Sequence, residues 1–550
     1  MKRIVTKIGG VLILLLFPFI LQAQRFRPPM DHEITFSGNY GEIRADHYHG
    51  GLDFKTGGAE GKAVRAIADG YISRIQVNSS SGLVLTVTFP DGWSAAYRHL
   101  SSFMEPIASR VKVWQYEHQS WEMELRPSPE EYPVKAGQQI ARSGNTGYSL
   151  GPHLHLDLFN AEDEYVDPLP FFLDKVKDHT APKPEGFMLF PQPGQGVVDG
   201  SQAQKTFPLT PQKPIQVWGL IGVGIKAYDY MDAVHNKYGV KFVTLTVDGD
   251  TVFRSTVDHF AYEENRYINS WCEGQYMKSF IEPGNKLRML EAFNEHNGLL
   301  EINEERPYKL QYTLTDAFGN TTKVNLTLQG KAQEIKPLEY EEDDMLRYNR
   351  VNVLQKPGLQ LMIPRGALYT DVLLNYQQRG NDSTAVASVY RITDDVVKLH
   401  TGAELQIGIR NDKMADKTKY YIARVGRNDQ KSSVGGSYAD GFMKARILQL
   451  GTFTVAIDTV APTIKPVNQQ TWVRTGKVTL KPEDKETGIS RYEATIDGEW
   501  ALLGRPNSAN NNLVLVLDPE HVKKGQPHIL RVTVTDGCGN QTTEEYKFTW

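Results

Sequence analysis

Cysteine is nearly missing from this chain: Cys272 and Cys538 are the only two in 550 residues. They lie far apart and nothing in their spacing forces them to pair. A disulfide framework is therefore excluded, and so is a zinc site built on thiolates. Any metal has to be held by His, Asp or Glu. Positive charge is not in surplus. Lys and Arg number 61 against 65 Asp and Glu, for a formal net charge of -4. No basic surplus exists to hold a nucleic acid. Beyond the first two dozen residues no apolar run is long enough to cross a bilayer as a helix.

Those first residues differ from everything after them. Lys2, Arg3 and Lys7 make a basic start, Ile8 to Leu21 is almost wholly apolar, and Leu21-Gln22-Ala23 ends on a small residue. The pattern predicts a secretory signal peptide over 1–23, cleaved before Gln24. The apolar run is short for an uncleaved anchor. No cysteine lies near the cleavage point to carry a lipid. The expectation is export to the periplasm or the cell surface, with no stable membrane insertion after cleavage.

What is abundant is turn and strand chemistry. There are 47 Gly and 26 Tyr, and Thr-Val alternations recur, which favours strands and turns over long helices. The fold expectation is all-β, and the length requires several domains. Residues 24–177 read as one unit of short strands. In it, Leu83 to Phe89 and Trp93 to Tyr97 form a hairpin across the Pro90-Asp91-Gly92 turn. The rest carries an internal repeat. Asp178-His179-Thr180-Ala181-Pro182 resembles Asp458-Thr459-Val460-Ala461-Pro462, and Val247-Asp248-Gly249 resembles Ile496-Asp497-Gly498. Thr315-Asp316-Ala317-Phe318-Gly319-Asn320 resembles Thr535-Asp536-Gly537-Cys538-Gly539-Asn540. All three matches fall in the same order, as two copies of one β-sandwich would place them. These copies, 178–332 and 458–550, resemble bacterial immunoglobulin-like domains. The first has an insertion around Val257 to Leu300. Between them, 333–457 reads as a β-sandwich of a different type, entered through the acidic stretch Glu339 to Asp344.

Chemistry concentrates in the first unit. His49-Gly50-Gly51-Leu52-Asp53 places a His and an Asp four apart. They can share a metal if the chain bulges between them, and the two glycines permit a close backbone approach. In His153-Leu154-His155 a strand would turn both imidazoles to one face. Tyr97-Arg98-His99-Leu100 ends the predicted hairpin. Each motif alone has an ordinary structural explanation. Jointly, two histidines and one aspartate make a three-ligand site with an open position, the pattern of catalytic rather than structural zinc. Two further histidines remain to handle protons or to stabilise an oxyanion. By contrast, His179, His235, His259, His296, His400, His521 and His528 are scattered singly and are assigned no chemistry.

These motifs, in this order, resemble those of the lysostaphin/LytM-type (M23) zinc peptidases: H-x-x-x-D, then Y-x-H-L, then G-P-H-L-H. Supporting stretches match as well: Gly41-Glu42-Ile43-Arg44, Ala66-Ile67-Ala68-Asp69-Gly70, Val134-Lys135-Ala136-Gly137-Gln138, Ser143-Gly144-Asn145-Thr146-Gly147 and Val166-Asp167-Pro168. The resemblance covers about residues 30–175. It implies one zinc held by His49, Asp53 and His155, with His99 and His153 as catalytic histidines. It also implies cleavage of peptide bonds in peptidoglycan, in stem peptides or cross-links. The β-sandwich tail would then meet protein or glycan partners or act as a spacer. The alternative is a non-catalytic cell-wall binding, activator or scaffold protein, which the complete ligand set speaks against. His47 is a spare histidine nearby. The sequence departs from the family between His99 and Val134. There about twenty extra residues, including Trp114, Tyr116, His118 and Trp121, form either a packed surface hairpin or a wall of the substrate groove.

Overall fold

The computed structural model describes residues 26–232, 234–380 and 385–550; the expected signal peptide lies outside them. Strands dominate, as the composition predicts. Among the described residues no helix is long and apolar enough to cross a membrane.

The first unit is built on one antiparallel sheet. Its strands are β1 (Phe36–Gly38), β2 (Gly51–Lys55), β3 (Gly70–Asn78), β4 (Gly82–Thr88), β5 (Ser94–Leu100), β6 (Met123–Leu125) and β7 (His153–Phe159). Their order across the sheet is β1-β2-β7-β5-β4-β3-β6. Period-two alternation sets the faces. Leu154, Leu156 and Leu158 of β7 enter a core with Leu52, Phe54, Ile75, Leu85, Val87 and Tyr97. Each such side chain contributes about 1.5–3 kcal/mol when fully buried. The alternate residues His153, His155 and Asp157 are left on the other face. β7 lies between β2 and β5, with His155 opposite Asp53 on one side and Arg98 on the other. The 90–92 turn closes the β4–β5 hairpin, with Gly92 N–H donating to the Phe89 carbonyl.

The extra residues after His99 are not a hairpin. They form α1 (Ile107–Glu117), which buries Ile107, Val111 and Gln115, and then β6, which pairs with β3. The i, i+4, i+8 spacing of those three residues is the ordinary signature of one buried helix face.

The tail is mainly β, broken only by short helical turns such as Ile268–Trp271 and Trp472–Thr475. The core of the second unit extends into the first: Tyr40 and Tyr48 are buried with Val223, Phe260 and Trp271. His259–Phe260, inside the predicted insertion, pairs with Tyr165–Val166. Residues 346–457 fold as two five-stranded sheets around a separate core, and residues 463–549 as two four-stranded sheets around another. The repeated D-x-x-G-N turn makes the same hydrogen bonds in both copies. Asn320 Nδ2 donates to the Asp178 carbonyl and to Asp316 Oδ2; Asn540 Nδ2 donates to the Asp458 carbonyl and to Asp536 Oδ2.

Candidate metal centre

His49 precedes β2, Asp53 lies within it, and His155 lies beside it on β7. The register puts their donor atoms together. His49 Nε2 is 3.0 Å from Asp53 Oδ1 and 3.0 Å from His155 Nδ1, and His155 Nδ1 is 2.9 Å from Asp53 Oδ1. All three residues are buried. The far sides of both imidazoles are occupied by acceptors. His49 Nδ1 donates to the Asn39 carbonyl at 2.6 Å, and His155 Nε2 donates to Asp157 Oδ1 at 2.6 Å. In the neutral rings those bonds fix the tautomers. When both rings are neutral, two imidazole lone pairs and a carboxylate oxygen are turned on one point. A cation is what such a donor set fits, and its mixed N/O character suits zinc.

The glycines act through closeness. A Cβ on Gly51 would fall inside the Leu156 carbonyl oxygen, and one on Gly38 would press on Asp53 Oδ2. Neither glycine is in the left-handed region; each is a place where another group needs the space.

His99 and His153 stand beside the trio. Their ring centroids are 4.7 Å apart, and His99 is 5.8 Å from His155. His99 Nδ1 donates to the Thr146 carbonyl at 2.7 Å and His153 Nδ1 to the Gly151 carbonyl at 2.8 Å, with Ser149 Oγ 3.2 Å from the same nitrogen. Both Nε2 atoms are therefore free of protons, and His153 Nε2 lies 3.5 Å from Asp53 Oδ1. His99 has φ +61°, a conformation that costs a non-glycine residue about 1–2 kcal/mol and is concentrated at functional sites.

The electrostatics separate the two groups of histidines. Burial, reinforced by His155 and His153, pushes the His99 imidazole down to about 3. Burial also lowers His153. For His155 burial opposes the charge, but the Asp157 and Asp53 carboxylates outweigh it and hold the ring at about 9. Burial likewise opposes ionisation of Asp53, yet His49 and His155 keep its carboxyl well below the usual range. Position 155 is thus where the site calls for positive charge, while 99 and 153 stay neutral.

All five expected site residues are brought together. His47 is not among them: its side chain is 56% exposed and its Nδ1 turns to Asp46. The sequence reading missed Asp157, which orients His155 and is itself held by Arg98. A signal existed, since in H-L-H-L-D the Asp shares the face of both histidines. It missed the Asn39, Thr146 and Gly151 carbonyls, which are backbone groups and leave no residue signature.

Comparison with known proteins bears on separate parts of the chain. Residues 343–458 match the Zu5-like domain family, so the immunoglobulin-like description does not extend to that middle β unit. The chain is 32% identical over 145 residues to an uncharacterized metalloprotease of Haemophilus influenzae, spanning 26% of this chain and 23% of that protein. It is 33% identical over 131 residues to the glycyl-glycine endopeptidase ALE-1 of Staphylococcus capitis, spanning 22% and 28%. The chain therefore covers less than a third of the length of these curated relatives. Among solved structures, the catalytic domain of lysostaphin from Staphylococcus simulans aligns at 27% identity and a TM-score of 0.18, over 24% of this chain and 89% of that one. The relatives of this chain are metallopeptidases of the lysostaphin/LytM (M23) type, and it resembles them in its N-terminal unit.

Proposed function

We propose that this protein is an exported zinc metalloendopeptidase that hydrolyses peptide bonds in peptidoglycan, in stem peptides or cross-links. The observation that carries the reading is the convergence of His49 Nε2, Asp53 Oδ1 and His155 Nδ1 within 3.0 Å of one another. These three residues would hold one zinc. Bound zinc supplies Lewis acidity, lowering the pKa of water from 15.7 toward about 7 and polarising a carbonyl.

The chain's own residues do the rest. His99 and His153 present Nε2 lone pairs, each backed by an Nδ1–H fixed on a carbonyl. A neutral imidazole so placed accepts the proton of the attacking water and returns it to the leaving amine as the C–N bond breaks. The imidazolium formed in between stabilises the negative charge on the attacked oxygen. Thr146 and Gly151 hold the two rings in their tautomers throughout. The substrate class follows the relatives, of which one is named as a glycyl-glycine endopeptidase. The proposed export rests on the basic-then-apolar pattern of residues 1–23.

The test uses the purified chain without that leader. It is expected to contain about one zinc, as a single three-ligand site requires. It is also expected to release peptide products from defined muropeptides, read by mass spectrometry. His155→Ala should lose both metal and activity. A chain that binds zinc yet yields no product from any muropeptide would instead favour a scaffold or activator.

A further inference from the structure

The second unit holds a cluster of charge with no part in peptide hydrolysis. Asp178, Asp229 and Asp316 each bring a carboxylate oxygen to within 4.8 Å of the other two, and all three are buried. Asp316 is satisfied within its own turn: Oδ1 accepts from the Phe318 and Asn320 amides, and Oδ2 from Asn320 Nδ2, each at 2.8 Å. The other two are not. Asp178 Oδ1 accepts from Thr180 N–H at 3.0 Å, but its Oδ2 is buried without a partner. Asp229 is 4% exposed, and its Oδ1 is buried without a partner. His179, next to Asp178, turns away to Asp232. Among the described residues no ion pair reaches any of the three.

Carboxylates buried in that position are costly to keep ionised unless something positive joins them. Burial and the neighbouring Asp316 push the Asp229 carboxyl up to about 8, the direction expected of a group that lacks a counter-charge. The second copy of the repeat shows the same geometry resolved differently. Asp458, Asp484 and Asp536 also converge. There Thr487 Oγ1 donates to Asp458 Oδ2 at 2.7 Å, and the amides of Glu486, Thr487 and Gly488 donate to Asp484 Oδ2. None of that trio has a buried oxygen without a partner.

We propose that Asp178, Asp229 and Asp316 form a second cation site, specific to the first repeat copy and suited to calcium. The donors are all anionic oxygens, the choice of a hard cation rather than of zinc. The site stands where it would brace the metal centre. Asp229 and Tyr238 exchange backbone hydrogen bonds at 2.9 and 3.0 Å. Tyr238 Oη in turn donates to the Phe36 carbonyl, and Gly239 exchanges hydrogen bonds with the Asn39 side chain. The Asn39 carbonyl is the acceptor that orients His49.

Calcium titration of the metal-stripped chain tests this, followed by calorimetry and by thermal unfolding. The parent is expected to bind one equivalent and to unfold at higher temperature with calcium. His155→Ala, which removes a ligand of the first centre, should respond identically, so the result stands apart from the peptidase reading. Asp229→Asn and Asp178→Asn should lose the response, while Asp484→Asn should keep it. Absence of binding heat and of any thermal shift in the parent would overturn the proposal, whatever the variants do. An undiminished response in Asp229→Asn, or a response lost only in Asp484→Asn, would overturn it as well.

Discussion

Asn507 Nδ2 donates to the Ser149 carbonyl at 3.0 Å, across 358 residues of chain. The same nitrogen donates to the Asn145 carbonyl at 2.6 Å. Around it, Gly147 N–H donates to the Pro506 carbonyl and Ser508 N–H to the Gly147 carbonyl. The last β unit is therefore fastened to segment 145–149, whose Thr146 carbonyl holds His99 and whose Ser149 hydroxyl touches His153. Helix α1 completes the contact. Lys112 pairs with Asp518 and Glu520, and the Tyr116 ring stacks on His521 with centroids 3.5 Å apart.

Asn507→Ala should thus act on chemistry from a distance. The substitution removes the two hydrogen bonds to segment 145–149, worth about 0.5–1.5 kcal/mol each, together with the two that Asn507 Oδ1 accepts from the Ala509 and Asn510 amides in its own turn. If roughly 1–2 kcal/mol of that reaches the positioning of His99 and His153, turnover falls about 5- to 30-fold. Zinc content should not change, because none of the three proposed ligands contacts Asn507. Steady-state kinetics on a muropeptide beside metal analysis check both halves. Unaltered turnover would mean that 145–149 keeps its shape unaided.

Asp157 should matter to metal affinity as well as to the stability of the sheet. It accepts from His155 Nε2 and is ion-paired with Arg98. Asp157→Asn keeps the shape but removes the charge that makes His155 a strong donor. A loss of about 10- to 100-fold in zinc affinity is expected, the usual range for such partners of a ligand. Competition against a chromophoric chelator measures it, and an affinity within twofold of the parent would count against this role.

The residues legible in the sequence were those whose side chains carry the chemistry at a readable spacing. The strand period puts His153 and His155 on one face and two glycines allow His49 to approach Asp53, but their roles, like that of His99, come from the family resemblance. The all-β class followed from composition and turn residues. What was hidden falls into two kinds. The Asn39, Thr146 and Gly151 carbonyls act through backbone, which any residue supplies. The docking of Pro506 to Ser508 on segment 145–149 joins positions more than 350 residues apart, and nothing local marks either partner. Helix α1 lay between these cases. Its Ile107, Val111 and Gln115 spacing is helical, but only two of the three are apolar.

Gly51→Ala tests the backbone approach at the first motif. Its phi is ordinary, so conformational freedom is not at issue. The added methyl would meet the Leu156 carbonyl oxygen, on the strand that carries His155. Either β2 and β7 separate or the strand pair bends, at about 1–3 kcal/mol for overpacking of this kind. Thermal unfolding should shift downward, and zinc binding should weaken with it, because the same displacement parts Asp53 from His155. A variant as stable as the parent, with the same zinc affinity, would show that the pair can absorb a methyl.

His528 in the last unit gives a pH dependence whose sign can be worked out. Its side chain is buried, with Nδ1 2.6 Å from Asp497 Oδ2 and Nε2 2.7 Å from the Lys523 carbonyl. Both ring nitrogens face acceptors, so the ring is satisfied only as imidazolium. Burial opposes that charge, but Asp497 and the Lys523 carbonyl outweigh it and raise His528 above its ordinary value. The folded state therefore binds this proton more tightly than the unfolded state does. Its stabilisation is complete below the unfolded value of about 6.5 and is lost as pH rises through the higher folded value. Hydrogen exchange at the paired strands Pro527–Asp536 and Gln541–Thr549 reads this unit separately from the others. Protection there should fall between neutral and mildly alkaline pH in the parent. In His528→Gln it should start lower and stay flat, since glutamine has no proton to lose. An equal decline in both proteins would assign the pH dependence to another group.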